Sequence, residues 1–502
     1  MIKATVKGLA SGKRGWYDEL TADILKADST ATADILVDLL ADIWDQENIP
    51  KDWKKGLIVK LPKKGDLSRC GNWRGITLLS MVGKVMARCI IRRLQDAVDK
   101  RLRSEQSGFR RNRGTRDAIF ILRNIIEQTL EWNTVLYLVF VDYEKAFDSL
   151  HRETLWKIMK YYGIPDKYIR LVKMFYDENE CSIITESGIG PWFTVKSGVK
   201  QGCVMSGFLF ILAVDWIMRQ TVARNNTGIQ WTLTEKLEDL DYADDIVTMS
   251  NSWTHAQQKV NRLSLHGKGI GLNINKGKTK TLRINANRDD PIMLENEEIE
   301  DVNEFLYLGA YVNKHGGTDQ DIRSRIGKAT GAYNKLRKVW SSGKYWRRTK
   351  MRLLNSNVFS VLLYGSETWK MNKEDEKRLD TFQQRCLRKV LKIRWPMRVT
   401  NEEVRRRANM KEPISCQIRR RRWRMIGHVL RSDGEHTKVA LQWTPQGFRK
   451  RGRPKETWRR TAEKERKQLG FNSWESAGAA ARQRSEWRAF IAGPIVHWDR
   501  GT

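Results

Sequence analysis

Apolar side chains recur along residues 30–49 at Ile35, Leu39 and Ile43, with Leu36, Leu40 and Trp44 beside them. That is the period of an amphipathic helix. Ser29 or Thr30 can cap its start, and Pro50 lies just past its end. Trp53 to Asp66 reads as a strand followed by a basic turn. Helical patterns fill roughly 80–132, broken near Ser107-Gly108. Val135 to Val141 is a continuous apolar run, as expected of a strand buried on both faces. A helix is predicted from about Ser149 to Tyr162, stopping at Gly163-Ile-Pro165, with strands over 181–197 and a helix over 206–222. Leu237 to Ser250 reads as strand, tight turn, strand. Beyond residue 320 the pattern changes to basic helices, one of which carries Leu379, Phe382, Cys386, Val390 and Ile393 on a single stripe. From about 397 arginine interleaved with tryptophan dominates. There is no internal repeat and no low-complexity linker. Strands and helices in mixed order predict an α+β body with helical additions.

The 502 residues exceed one ordinary domain, and 40% hydrophobic content is enough for a sizeable core, which excludes wholesale disorder. The net charge is +33, unevenly spread. Residues 321–502 hold 46 Lys+Arg against 17 Asp+Glu, a net of +29, while residues 1–320 carry only +4. A basic region of that size points to a polyanionic partner, nucleic acid before an acidic membrane surface. Six cysteines without a CxxC pair do not form a disulfide framework. The N-terminus lacks the apolar core of a secretory signal, and apolar runs such as Val135 to Val141 are too short to span a bilayer. A soluble intracellular protein is expected.

The candidate chemistry lies in three carboxylates. Asp142 ends the apolar run, and Asp244 and Asp245 sit at the turn of the later hairpin, whose flanks are apolar. If the two strands are neighbours, the three acids converge at one sheet edge. Such a cluster repels itself unless cations occupy it, and Mg²⁺ suits oxygen ligands and substrate phosphates. Two ions could then activate a 3′-hydroxyl and stabilise a leaving pyrophosphate. An Asp-Asp turn by itself is equally an ordinary hairpin turn.

Phe140-Val-Asp-Tyr-Glu-Lys-Ala-Phe-Asp148, Ser197-Gly-Val-Lys-Gln-Gly-Cys203 and Tyr242-Ala-Asp-Asp245, in that order, resemble reverse transcriptase motifs A, B and C. Gly71 to Ser80 resembles the fingers motif of non-LTR (LINE-type) retrotransposon enzymes, Gly271 to Thr279 motif D, and Phe305-Leu-Tyr-Leu-Gly309 motif E. The resemblance runs from about residue 48 to 395. It implies a right-hand polymerase: an N-terminal extension over 1–50, fingers over 51–134, and a palm with an antiparallel sheet over 135–318. A helical thumb over 319–396 and a basic, mainly helical region over 397–502 complete it. It also implies roles. Asp142, Asp244 and Asp245, with the backbone of Tyr143, would hold two Mg²⁺ ions, Mn²⁺ substituting. Phe147 would be the steric gate that selects dNTPs, or a core aromatic, or both. Arg74, aided by Lys63 or Lys64, would contact the triphosphate, though a solvated arginine is the plainer reading of that residue alone. Gln201 and Gly202 would pack near the nascent base pair. Lys278 would assist the departing pyrophosphate. Leu306, Tyr307, Leu308 and Gly309 would grip the primer. Asp148 is expected to cap the following helix.

Two departures stand out. Ser206-Gly207 replaces the usual Ser-Pro after motif B, a looser first helical turn by roughly 1 kcal/mol or less. Gly12 to Asp18 departs from the family's Gly-Lys-Ala-Pro-Gly-x-Asp pattern, which weakens any template role for that segment. Relatives carry an endonuclease upstream. This chain starts almost at the polymerase, so it reads as truncated or as one part of a longer product, its endonuclease acting in trans.

In the basic third, Arg419, Arg420, Arg421 and Arg422, and Arg451 and Arg453, are candidate phosphate contacts, with Trp423 assigned to the core. Arg451-Gly-Arg-Pro454 resembles an AT-hook core, and such runs also suit nuclear localisation. Cys416, His428 and His436 fall short of a zinc ligand set, so zinc is not expected. The expectation is an RNA-directed DNA polymerase of a non-LTR retrotransposon, using dNTPs, an RNA template and a DNA primer or nicked target. It would be made in the cytoplasm and act in the nucleus. The alternatives are a catalytically inactive retroelement-derived RNA/DNA-binding protein, a group II intron maturase-like protein, and an RNA-dependent RNA polymerase, against which Phe147 argues.

Overall fold

The computed structural model describes residues 1–493 except 13–18, 64, 223–225, 411, 433–434, 450 and 453–454. Its centre is a four-stranded antiparallel sheet in the order Lys280–Ile284, Leu136–Val141, Asp245–Ser250, Asp239–Tyr242. The Leu136–Val141 strand is buried at every position because both of its faces are covered. Tyr137, Val139 and Val141 enter a core with helices that include Met81–Asp99, Arg152–Tyr161, Val204–Val222 and Trp253–Lys268. Leu136, Leu138 and Phe140 enter a second core with helix Thr115–Trp132 and the hairpin Glu304–Tyr307/Ala310–Asn313. The Val204–Val222 helix is apolar and long enough to cross a bilayer by composition, but 78% of its apolar window is buried, so it is the hub of the first core.

A second sheet runs Trp73–Leu78, Gly56–Pro62, Glu180–Thr185, Gly188–Ile189, with Phe193–Thr194 on Glu180–Thr185. It is mixed: Gly56–Pro62 is antiparallel to Trp73–Leu78 and parallel to Glu180–Thr185. Helices Asp319–Lys335 and Lys373–Val390 form a third core, in which Leu379, Phe382, Cys386 and Val390 are buried as their spacing predicts.

The predicted N-terminal helix runs Ser29–Gln46, but its inward face is turned. Ala33, Leu36, Leu40 and Ile43 are buried, while Ile35 is 74% exposed. Two overlapping apolar stripes competed for the core, and the pattern alone did not decide between them. The cap is Asp28, which accepts from the Thr30 and Ala31 N–H groups, rather than Ser29 or Thr30. The departing Gly12 to Asp18 segment lies largely outside the described residues.

The basic C-terminal region shares its core with the central sheet. Trp423, Trp458 and Trp487 are buried in the same cluster as Phe140 and Val247. Trp458 N–H donates to the buried Glu127 carboxylate at 2.8 Å, and its indole N–H donates to the Glu367 carbonyl at 2.8 Å. Burial pushes Glu127 up to about 7, although this hydrogen bond and Lys370, Arg123 and Arg459 favour its anion. A folded value above the unfolded one means that the carboxylate destabilises the fold at high pH. The penalty fades as pH falls through 7 and is gone below the unfolded value of about 4.3. Glu127→Gln keeps an acceptor for Trp458. It is expected to raise stability at pH 8 by on the order of 2 kcal/mol and to leave it unchanged near pH 4, read by urea unfolding.

Candidate active site

The register that pairs Ile246 with Val141 sets Asp245 opposite Asp142 one step further on. Asp245 also pairs with Tyr242, leaving Ala243 and Asp244 as a two-residue turn. All three acids therefore meet at one end of the central strands. Burial raises the Asp244 carboxyl, with Asp142 adding to the rise and Arg74 and Lys278 opposing it. Desolvation, then Asp244 and Asp142, push Asp245 up to about 6. Lys278 Nζ lies 2.8 Å from Asp142 Oδ2. Asp244 and Asp245 make no ion pair among the described residues.

The turn is held from behind by residues that sequence reading missed. Gln106 is fully buried, and its Oε1 accepts the Gly108 N–H at 2.7 Å and the Ala243 N–H at 3.1 Å. Ser107 N–H donates to the Asp241 carbonyl at 2.8 Å. A Cβ at Gly108 would overlap the Ala243 backbone nitrogen. The only trace of this in the sequence was the helix break at Ser107-Gly108. Beneath the hairpin, Arg103 donates to both Asp239 and Asp241, all three side chains being buried. Desolvation raises both acids, and mutual repulsion raises Asp241 further.

Around this turn the other predicted residues fall into place unevenly. Asp142 carbonyl accepts the Asn275 N–H at 2.8 Å, which ties the Lys278 segment to the central strand. Tyr143 is buried, with its ring in the first core. Phe147 stacks on Phe210, centroids 4.6 Å apart and planes within 15°, so its ring orientation is fixed. The Trp73–Leu78 hairpin reaches over the palm: Arg74 acts electrostatically on Asp244, and Lys63 on Asp148. Lys64 lies outside the described residues.

Four of these residues have contacts within the chain that the sequence did not show, and for Asp148 they correct the expectation. Gly202 has φ +110, and a Cβ there would meet the Thr77 carbonyl oxygen at 2.7 Å. The glycine permits close approach of the Trp73–Leu78 strand. Gln201 takes part through its carbonyl, which accepts the Thr77 N–H at 2.7 Å. Gly207 is not merely a looser proline substitute, because a Cβ there would meet the Phe109 ring at 2.8 Å. Asp148 caps nothing: the following helix starts at Arg152 after His151, without a side-chain cap.

The Glu304–Tyr307/Ala310–Asn313 hairpin turns at Leu308 (φ +47) and Gly309 (φ +79), the conformation of a type I′ turn. Tyr307 is buried over the palm sheet, while Leu306 is exposed. Tyr364 hydroxyl donates to the Leu308 carbonyl at 2.9 Å, and Arg325 donates to the Gly309 carbonyl.

The helix Ile414–Arg431 corrects the reading of Arg422 as a phosphate contact and gives its neighbouring arginines partners within the chain. Arg422 is fully buried, donating to Glu465 and to the Trp369 carbonyl. Arg419 pairs with Glu376 at 2.5 Å and Arg420 with Glu412, while Arg421 donates to the Leu363 carbonyl at 2.9 Å. The partnering acids lie 8 to 43 residues away along the chain, beyond any local pattern. These arginines bind helices together. Arg451 is exposed, and Arg453 lies outside the described residues. Cys416 is buried on the same helix, and His436 meets Ser104 across the chain at 2.8 Å.

A family profile described as reverse transcriptase (RNA-dependent DNA polymerase) matches residues 61–312, and one described as a domain of unknown function matches 332–364. A transposon-derived protein of Caenorhabditis elegans is 28% identical over 51% of this chain and 95% of its own length. A retrovirus-related Pol polyprotein from a type-1 retrotransposable element of Popillia japonica is 24% identical over 68% of this chain. The chain spans 48% of that polyprotein and 21% of a 149 kDa transposon protein of Xenopus laevis. Among solved structures, apo telomerase from Candida tropicalis aligns over 81% of this chain and 73% of its own at 13% identity, with a TM-score of 0.43.

Gly108→Ala is expected to displace the Ala243–Asp244 turn. Single-nucleotide incorporation on a primed template should fall by roughly 100-fold, with affinity for the template within a few-fold of wild type.

Proposed function

Because this chain belongs to the reverse transcriptase (RNA-dependent DNA polymerase) family, we propose that it extends a DNA 3′-hydroxyl on an RNA template. In this reading it is the polymerase of a non-LTR retrotransposon that works by target-primed reverse transcription in the nucleus. The observation that carries the reading is the convergence of Asp142, Asp244 and Asp245 through the register of two core strands.

The donor set suits a hard divalent cation. Three carboxylates share one edge, Asp244 and Asp245 are raised by burial and by their acidic neighbours, and Lys278 on Asp142 is the one cation in ion-pair contact among the described residues. Asp142, Asp244 and Asp245, with the Tyr143 backbone, would hold two Mg²⁺ ions, which Mn²⁺ could replace. When bound, such ions lower the barrier to 3′-hydroxyl attack and stabilise the departing pyrophosphate. The remaining roles belong to the protein. Phe147, wedged on Phe210, excludes a ribose 2′-hydroxyl. Arg74 and Lys63 hold the triphosphate from the fingers hairpin. Lys278 supplies a positive charge beside Asp142. Leu306 and the Leu308–Gly309 turn support the primer end.

Primer extension on a primed RNA template with Mg²⁺ tests the reading. Extension with dNTPs, lost in Asp244→Asn, is expected. A folded protein that binds the primed RNA without extending it would leave the binding-protein alternative standing. Phe147→Val should raise use of rNTPs relative to dNTPs by about tenfold or more, measured by competing substrates.

A further inference from the structure

Where the C-terminal helices meet the 104–117 segment, the chain forms an open cavity of about 640 Å³. One wall is the 104–117 segment, another the Leu240 end of the catalytic hairpin, and the third His428, Arg431, Ser432, His436 and Thr437 with Arg484. Five guanidinium groups line it, from Arg111, Arg113, Arg116, Arg431 and Arg484, together with His428. The acids that also reach it are engaged. Asp99 accepts from Arg110 at 2.6 Å, Glu105 lies 3.7 Å from Arg103, and Asp117 accepts the Gly114 N–H at 2.9 Å.

Arg116 and Arg484 make no hydrogen bond or ion pair among the described residues. Arg431 donates to the Ala481 carbonyl at 2.9 Å and is crowded by Arg484 and Arg488. Arg111 pairs with Asp96 at 3.1 Å, Arg113 donates to the Ser104 and Gln106 carbonyls, and Asp117 acts electrostatically on Arg116. Five guanidinium groups against three carboxylates still leave the lining net positive, and an anion between them relieves that excess. Guanidinium groups suit phosphate oxygens in particular, through paired N–H donors.

The cavity also lies beside the catalytic turn. Ser107, in its wall, bonds to Asp241, two residues before Ala243. Next to Arg116, Thr115 meets the Tyr364 hydroxyl at 3.1 Å, and Tyr364 bonds to Leu308 of the motif E turn. The cavity wall is thus bonded directly to the catalytic hairpin and, through Tyr364, to the motif E turn.

We propose that this cavity binds the phosphodiester backbone of a nucleic-acid strand engaged at the polymerase site, making the C-terminal helices a second clamp on the substrate. The inference rests on the polymerase reading above. Its recognition chemistry, phosphate on guanidinium, is common to a DNA primer and an RNA template.

The test uses the full chain carrying Arg116→Ala and Arg484→Ala together, neither side chain having a bonding partner to lose. Lys3→Ala with Lys7→Ala, two exposed charges on the N-terminal helix, is the charge-matched control. Binding of a labelled RNA–DNA hybrid is followed by fluorescence anisotropy across a salt series, without nucleotides. The slope of log affinity against log salt should fall by about 2 in the cavity variant, with affinity down about tenfold or more, and should hold in the control. Hybrids with methylphosphonate linkages in one strand then identify the source. Neutral linkages in the bound strand should weaken wild type and add nothing in the variant. Wild-type slope and affinity in the variant, or indifference of wild type to neutral linkages in either strand, would overturn the proposal. A protein that shows the slope change yet never extends a primer would sink the polymerase reading and leave the cavity assignment intact.

Discussion

Like charges at one edge of a sheet push apart, and most of the structure around Asp142, Asp244 and Asp245 works against that push. Side chains alternate along a strand, so a one-residue slip between Leu136–Val141 and Asp245–Ser250 would turn Asp142 and Asp245 to opposite faces. The slip is blocked by burial on both faces of the central strand, since it would also drive Phe140 and Val139 into the wrong cores. Gln106 and Gly108 then hold the turn from the side, and Arg103 neutralises the second pair of acids beneath it. Each device leaves the carboxylates desolvated and close, the condition in which a divalent cation is most strongly favoured.

The same economy of cores explains the C-terminal region. Its arginines were expected to face outward to nucleic acid, yet Arg422 lies buried between Glu465 and Trp369. A buried ion pair of this kind is only modestly stabilising in itself, but removing one partner leaves the other charge stranded. The helices therefore dock in one arrangement, with Trp458 on Glu127 and Trp487 on Trp423. That docking brings Arg431 and Arg484 opposite Arg113 and Arg116.

The central strand and the acidic hairpin were legible in the chain because a seven-residue apolar run and an apolar-flanked turn have few other uses. The Lys373–Val390 stripe was legible for the same reason. The inward face of Ser29–Gln46 was not, since Ile35 and Leu36 are equivalent in pattern and differ only in what packs against them. The glycines at 108, 202 and 207 were opaque because their requirement comes from Ala243, Thr77 and Phe109, each from another segment of the chain. Net charge placed cations in the right third of the sequence but could not say which would find an acid. Arg419 and Arg422 did, whereas Arg484 makes no ion pair among the described residues.

The central claim is that the strand register assembles a divalent-cation site from three acids on two segments. Calorimetric titration of Mn²⁺ into the protein bound to a primed RNA template, comparing wild type with Asp142→Asn, tests it directly. The account predicts saturable binding in wild type, with about two ions per chain, and loss of at least one ion in the variant although Asp244 and Asp245 remain. Equal stoichiometry and affinity in both proteins would contradict it.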